Sequence, residues 1–216
     1  MKRKTLDILV SIGGLGLAGL LLVAGLVLSS NASFARTYVA DQLSQQHITF
    51  KAANTLTDEE KAQACLVTYA GQALTTGKQA ECYANSFIGL HLQAIAGGKT
   101  YADLGTPQSQ LQAQVAQAQK DSSPNLADLQ KQLATVTSTR QTLFTGETLR
   151  GLLLTSYGFS VFGEKAAQFA TVAYIAAGLL LLLAIAGLIH ALVTPRSKGF
   201  ALPEPADQTV REKVAV

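Results

Sequence analysis

Three histidines, two cysteines and fourteen carboxylates are the side chains of this 216-residue protein best suited to bind a metal or attack a substrate. Non-haem iron or zinc chemistry needs two histidines and a carboxylate converging on one point, or two histidines one helical turn apart. His47, His91 and His190 offer neither spacing, and only Asp41 and Glu81 stand near the first two. His190 falls near the end of a long apolar block, which puts it across a membrane from its fellows. The reading is therefore no metal and no cofactor, with His91 at a helix–helix contact and His190 at an inner membrane interface. Nucleophilic and phosphate chemistry lack their signatures too: there is no Gly-x-Ser-x-Gly elbow, Walker loop or dinucleotide glycine fingerprint. No enzyme is expected.

Cys65 and Cys82 are too far apart for a Cys-x-x-Cys redox pair. An even pair in an oxidising compartment reads as a disulfide, worth roughly 3 kcal/mol for a loop of this length. The other reading is two buried free thiols on packed helices.

The elements that must position these residues are set by two apolar blocks. Only 14% of residues are charged and mean hydropathy is +0.24, against about 25% charged in ordinary soluble domains. Residues 8–28 contain no ionisable side chain, and residues 166–193 contain only Tyr174 and His190. Each exceeds or matches the roughly 20 residues needed to cross a hydrocarbon core. Lys2, Arg3 and Lys4 precede the first block, and Arg196 and Lys198 follow the second. The positive-inside rule then places both termini in the cytoplasm, making this a multi-pass protein of the plasma membrane. The first block is longer than a signal-peptide core. An uncleaved anchor is expected, although Ser33-Phe34-Ala35 would serve as a cleavage site.

Between the blocks, residues 29–165 carry ten basic and ten acidic side chains. That balance gives no footprint for nucleic acid. The segment reads as helical throughout, so the fold class is an all-α membrane protein: two transmembrane helices with a helical extracytoplasmic domain between them. Residues 33–46 extend the first span, with Phe34, Tyr38 and Leu43 on one side. Thr57 to Glu60 forms a capping box that should open a helix to about Leu74. Thr76 to Gln79 forms a second, with a helix towards Ala96, so a Cys65–Cys82 bridge would staple a helical hairpin. Gly97-Gly98 breaks that run. Thr106-Pro107 and Ser123-Pro124 each put a hydroxyl cap before proline at a first helical position. They predict a hairpin over 107–143, either with a narrow apolar seam or as a solvated, poorly packed insertion.

Residues 146–163 form an apolar stretch too short to span, packed in the outer domain or lying on the outer membrane surface. Tyr157, Phe159 and Phe162 suit an interfacial belt, and Arg150 can pair with Glu147 or face head groups. These four are the candidate interaction surface. Small residues in the spans, Gly14 with Ala18 and Ala173 with Ala177 among them, allow close helix contact between the spans or with another protein. Both spans are apolar at their centres, and two helices cannot enclose a transport path. The 194–216 tail, rich in proline and mixed charge, should lack order.

Two sequence blocks carry a family resemblance: Tyr69-Ala70-Gly71-Gln72 continuing to Thr75-Thr76-Gly77-Lys78-Gln79-Ala80-Glu81-Cys82-Tyr83-Ala84, and Gly146-Glu147-Thr148-Leu149-Arg150-Gly151-Leu152-Leu153-Leu154. With the two spans, they resemble uncharacterised actinobacterial two-span envelope membrane proteins, often labelled aromatic ring-opening dioxygenases. The iron ligands that label requires are not assembled by these histidines, so the resemblance implies a location and an architecture but no activity. The expectation is a non-enzymatic envelope scaffold or accessory subunit, partnered by the lipid bilayer and by another membrane protein or a second copy. The alternative is an extracytoplasmic module that binds or senses a lipid or small molecule.

Overall fold

The computed structural model describes residues 3–195. All but the first two residues of the tail expected to lack order, 194–216, therefore lie outside it. Seven α-helices are described: α1 (Arg3–Ser44), α2 (Asp58–Lys61), α3 (Ala64–Thr68), α4 (Gly77–Cys82), α5 (Gly89–Ala96), α6 (Gly105–Lys120) and α7 (Leu126–Val193). Among the described residues the only β feature is one antiparallel bridge, Thr49 with Ala73. Both α1 and α7 contain stretches long and apolar enough to cross a membrane.

The described residues divide into two compact units, 3–30 with 167–195, and 31–166. In the first, α1 and α7 meet through small side chains. Ala18, Ala177, Ala184 and Ala191 are almost wholly buried, and a Cβ on Gly14 would sit 3.5 Å from that of Ala184. The Ser29 and Tyr174 hydroxyls share a hydrogen bond at 3.1 Å, and His190 Nδ1 lies 3.0 Å from the Asp7 carboxylate. The small residues thus serve contact between the two apolar helices themselves. Gly13, Gly16 and Gly19 face open space.

The second unit is built on a core of Val39, Leu43, Phe50, Leu66, Leu74, Leu92, Leu143 and Leu153, among others. Both expected capping boxes form. Thr57 Oγ1 accepts the Glu60 N–H at 3.2 Å, and Glu60 Oε2 accepts the Thr57 N–H at 2.8 Å. Thr76 and Gln79 repeat the arrangement. The helix expected from Thr57 to Leu74, however, is broken into α2 and α3 by an extended Gln63 at φ −91°, ψ 98°. After α3 the chain turns at Gly71, with φ of 72°. It then pairs back on residues 48–51: the Phe50 N–H donates to Gln72 and the Leu74 N–H to Ile48, both at 2.9 Å. Burying Leu66, Phe50 and Leu74 together outweighs continuing one short helix. Cys65 on α3 and Cys82 on α4 are joined as a disulfide.

From α4 to α5 the helix continues through a π-helical turn, Tyr83–Ile88. It ends at Gly97 and Gly98, whose φ angles of 59° and 79° suit glycine. Two expected starts shift. Helix α6 begins at Gly105 with Leu104 as its unbonded cap, so Thr106 lies inside it. Ser123 donates instead to Asn125 Oδ1 at 2.7 Å, and α7 opens at Leu126. The largest departure is continuity: the second hairpin arm, the 146–163 stretch and the second apolar block form one 68-residue helix, α7. No proline interrupts it, and isolated glycines cost only about 1 kcal/mol each in a helix interior. The hairpin has a packed seam, with Val115 and Ala118 buried and Gln108 bonded to Thr137 and Arg140 across it.

Candidate functional site

The densest polar arrangement surrounds Glu60, whose residue surface is 0% exposed. Its carboxylate accepts Lys51 Nζ at 2.8 and 3.0 Å and the Thr57 N–H at 2.8 Å, with His91 Nε2 at 3.4 Å. The Lys51 ammonium holds the Glu60 carboxyl below its ordinary value, overcoming the opposite push of burial. His91 Nδ1 donates to the Phe87 carbonyl oxygen at 2.7 Å. The Lys51 ammonium also lies 5.7 Å from the Phe87 ring centroid.

Tyr83, Phe87 and His91 recur every four residues, and the helix stacks them at 4.7 and 4.5 Å between ring centroids. Phe50 meets Tyr83 edge to face at 5.3 Å, and burial pushes the Tyr83 phenol up. His91 therefore does sit at a helix contact, but through a carboxylate on α2 that the sequence reading took only for a cap. Glu60 accepts from an ammonium and an amide, and His91 is engaged at Nδ1. The Glu60 carboxylate is thus spent on the Lys51 and Thr57 donors, a strut that ties α2 to the segment before it. Among the described residues, no three histidine, cysteine, aspartate or glutamate side chains are grouped to hold a metal ion.

The four residues expected to form one interaction surface lie on different faces of α7. At 3.6 residues per turn, Arg150 and Tyr157 share one side while Phe159 and Phe162 point roughly opposite. Arg150 donates to Glu147 Oε2 and to Asn85 Oδ1, both at 3.1 Å. Its Nε is buried without a partner beside Gly89. Tyr157 packs where α4 starts, its Cα 3.3 Å from where a Gly77 Cβ would stand. Phe162 is 76% exposed. Only Phe159 enters a larger assembly, with Phe34 and Tyr38 of α1 at centroid distances of 6.3 and 5.7 Å.

These rings form one end of a groove of about 710 Å³ between α1 and α7. Leu43 and Leu153 form its floor, while Leu149 and Leu152 reach its surface with Gln42 and Gln46 opposite. Leu152 is 63% exposed and Phe34 61%. Phe34 and Tyr38 share a face of α1 and Phe159 lies on α7; only the pairing of the two helices, which no local signal announces, brings the three rings together. A second cavity, of about 340 Å³, lies between α1, the start of α4 and α7, with Arg36, Lys78 and Glu164 in its lining.

The chain matches no protein-family model, no curated protein and no solved structure.

Proposed function

We infer that this is an integral membrane protein with two spans and both termini in the cytoplasm, acting without catalysis as an envelope scaffold or accessory subunit. Its outer helical unit holds a helix of another membrane protein in the α1–α7 groove. The observation that carries the reading is that groove, which leaves Phe34, Tyr38, Leu149, Leu152 and Phe159 open on a unit that has a complete core elsewhere. Exposed apolar surface of this extent marks a contact site. Along α1 it runs from Phe34 to Leu43, about 14 Å, or between two and three turns of an occupying helix. Gln42, Gln46, Thr155 and Ser156 along it can bond polar groups of the occupant.

Support for the membrane setting comes from the two apolar helices, whose most apolar windows are only 17% and 11% buried. A core helix of a soluble protein would bury most of such a window.

A photo-crosslinking residue at Leu152, compared with one at exposed Gln132, tests the docking reading on the full chain in its native membrane. Leu152 should give one discrete adduct with a membrane protein, lost when Phe159→Asp is added. Equal labelling at both positions, or a monomer without adduct at Leu152, contradicts it.

A further inference from the structure

The cavity between α1, α4 and α7 carries charges that the fold does not use. Arg36, Lys78 and Glu164 line it, and among the described residues none of them forms an ion pair within 4.0 Å. The hydroxyls beside them are already committed: Thr76 to Gln79, and Ser160 to the Tyr157 carbonyl oxygen at 2.8 Å. The remaining polar capacity is thus two cations, one carboxylate and the Tyr69 hydroxyl. Ala32, Val39 and Ala40 of α1 supply an apolar wall.

Two glycines fix these charges in place. A Cβ on Gly77 would overlap the Ser160 hydroxyl, and one on Gly163 would stand 2.8 Å from the Ala35 Cβ. Each glycine allows a close backbone approach, and each is followed directly by a charged residue, Lys78 and Glu164. The Lys78 and Glu164 backbones are therefore held on tightly packed helices rather than on loops.

We propose that this cavity binds the head group of a zwitterionic, primary-amine glycerophospholipid. Arg36 and Lys78 take the phosphate, and Glu164 takes the ammonium. Arginine and lysine are the side chains suited to a phosphate, and a carboxylate on the same mouth selects a ligand that also carries a cation. Arg36 lies eight residues beyond Leu28 on α1, about 12 Å along the helix, and Glu164 precedes Ala166 by two. The lipid head-group layer extends roughly 5–8 Å beyond the hydrocarbon on each side, so Glu164 starts within it, and the long Arg36 side chain reaches back to it from just beyond.

The proposal rests on the two apolar helices crossing a membrane. That premise is read separately by alkaline carbonate extraction, in which a soluble protein would be released. The test is native mass spectrometry of the full chain in mild detergent, titrated with phosphatidylethanolamine, phosphatidylcholine and phosphatidylglycerol. Wild type should retain one phosphatidylethanolamine in preference to the others. Arg36→Ala with Lys78→Ala should weaken retention of all three by at least about tenfold, the scale of losing hydrogen bonds to a charged group. Arg36→Lys with Lys78→Arg should restore most of it at an unchanged melting temperature. Glu164→Gln should erase the preference for the primary amine while leaving phosphate-dependent retention.

Soluble glycerophosphoethanolamine should compete poorly with the intact lipid. Competition at equal strength would reassign the site to a free phosphate ester and overturn the lipid assignment. No lipid retained, retention indifferent to the Arg36 and Lys78 changes, or a preference that survives Glu164→Gln would each overturn it too.

Discussion

The Glu60 carboxylate receives the Lys51 ammonium at 2.8 Å although Glu60 itself exposes no surface. Lys51 reaches it from the solvent side, with its own side chain 37% exposed. Removing the lysine would leave a buried carboxylate with one amide N–H and a histidine edge. Breaking a buried pair on one side costs several kcal/mol, and the partial exposure of Lys51 reduces that here. Lys51→Met should destabilise the 31–166 unit by about 2 kcal/mol. The check is the apparent melting temperature of the full chain in detergent; an unchanged value would dismiss the strut.

The same contact sets a pH dependence. Lys51, with the Thr57 N–H, lowers the Glu60 pKa below its ordinary value of 4.5. The unfolded chain therefore takes up this proton first as pH falls. The stabilisation is fully present above the ordinary carboxylate value, and is lost as pH drops through the lower folded value. In Glu60→Gln, stability should be lower at neutral pH and flatter below about pH 5 than in wild type. Parallel wild-type and variant curves across that acid range would sink the assignment.

The Cys65–Cys82 disulfide closes a separation of 17 residues, enclosing Gly71 and the returning segment that pairs with residues 48–51. Constraining an unfolded loop of that size stabilises by about 3 kcal/mol in the chain-entropy model. Cys65→Ser with Cys82→Ser should lower stability by that order. The Thr49–Ala73 bridge should also show faster amide exchange at Phe50 and Leu74, whose N–H groups bond across it. Exchange at those two amides equal to wild type would mean that the bridge does not depend on the disulfide.

Much of this architecture was legible because its signals are local. The apolar blocks, both capping boxes, the Gly97-Gly98 break and the cysteine pair each depend on a few adjacent residues. What escaped depends on partners distant in sequence. The extended Gln63 follows from burying Leu66 against Phe50, and nothing within residues 57–74 announces it. The Glu60 strut needs Lys51 and His91 from other segments. The Tyr83, Phe87 and His91 spacing was readable as a helical stripe, but not its pairing with Lys51. Helix α7 was divided because its apolar and polar stretches differ in composition, although no residue in it stops a helix. Likewise Arg150, Tyr157, Phe159 and Phe162 share one apolar run, yet a continuous helix points them in opposed directions.

The approach of α4 to α7 predicts a compensating pair. Gly77→Ala would force a methyl group into the Ser160 hydroxyl, and overpacking of this kind costs about 1–3 kcal/mol. Ser160→Gly alone removes the obstruction at a cost near 1 kcal/mol for glycine in a helix interior. If the contact is as described, the double variant should be more stable than Gly77→Ala alone. The double-mutant cycle in melting temperature should then show positive coupling. Strict additivity would mean that the two residues do not touch.

The contact between the two apolar helices can be tested without disturbing the 31–166 unit. An ideal Cβ on Gly14 would lie 3.5 Å from the Ala184 Cβ, at the near edge of the range in which cysteines can bridge, about 3.5–4.5 Å. Gly14→Cys with Ala184→Cys should therefore cross-link on mild oxidation in native membranes, joining peptides from the two ends of the chain in a digest. Gly16 has nothing within 4 Å of its would-be Cβ, so Gly16→Cys with Ala184→Cys is the matched control and should stay reduced. The native cysteines are already bonded to each other and do not compete. Equal cross-linking of the test and control pairs would show that the helices do not hold this register. A cross-link confined to position 14 would fix which face of α1 meets α7, and with it the face, marked by Gly13, Gly16 and Gly19, left open.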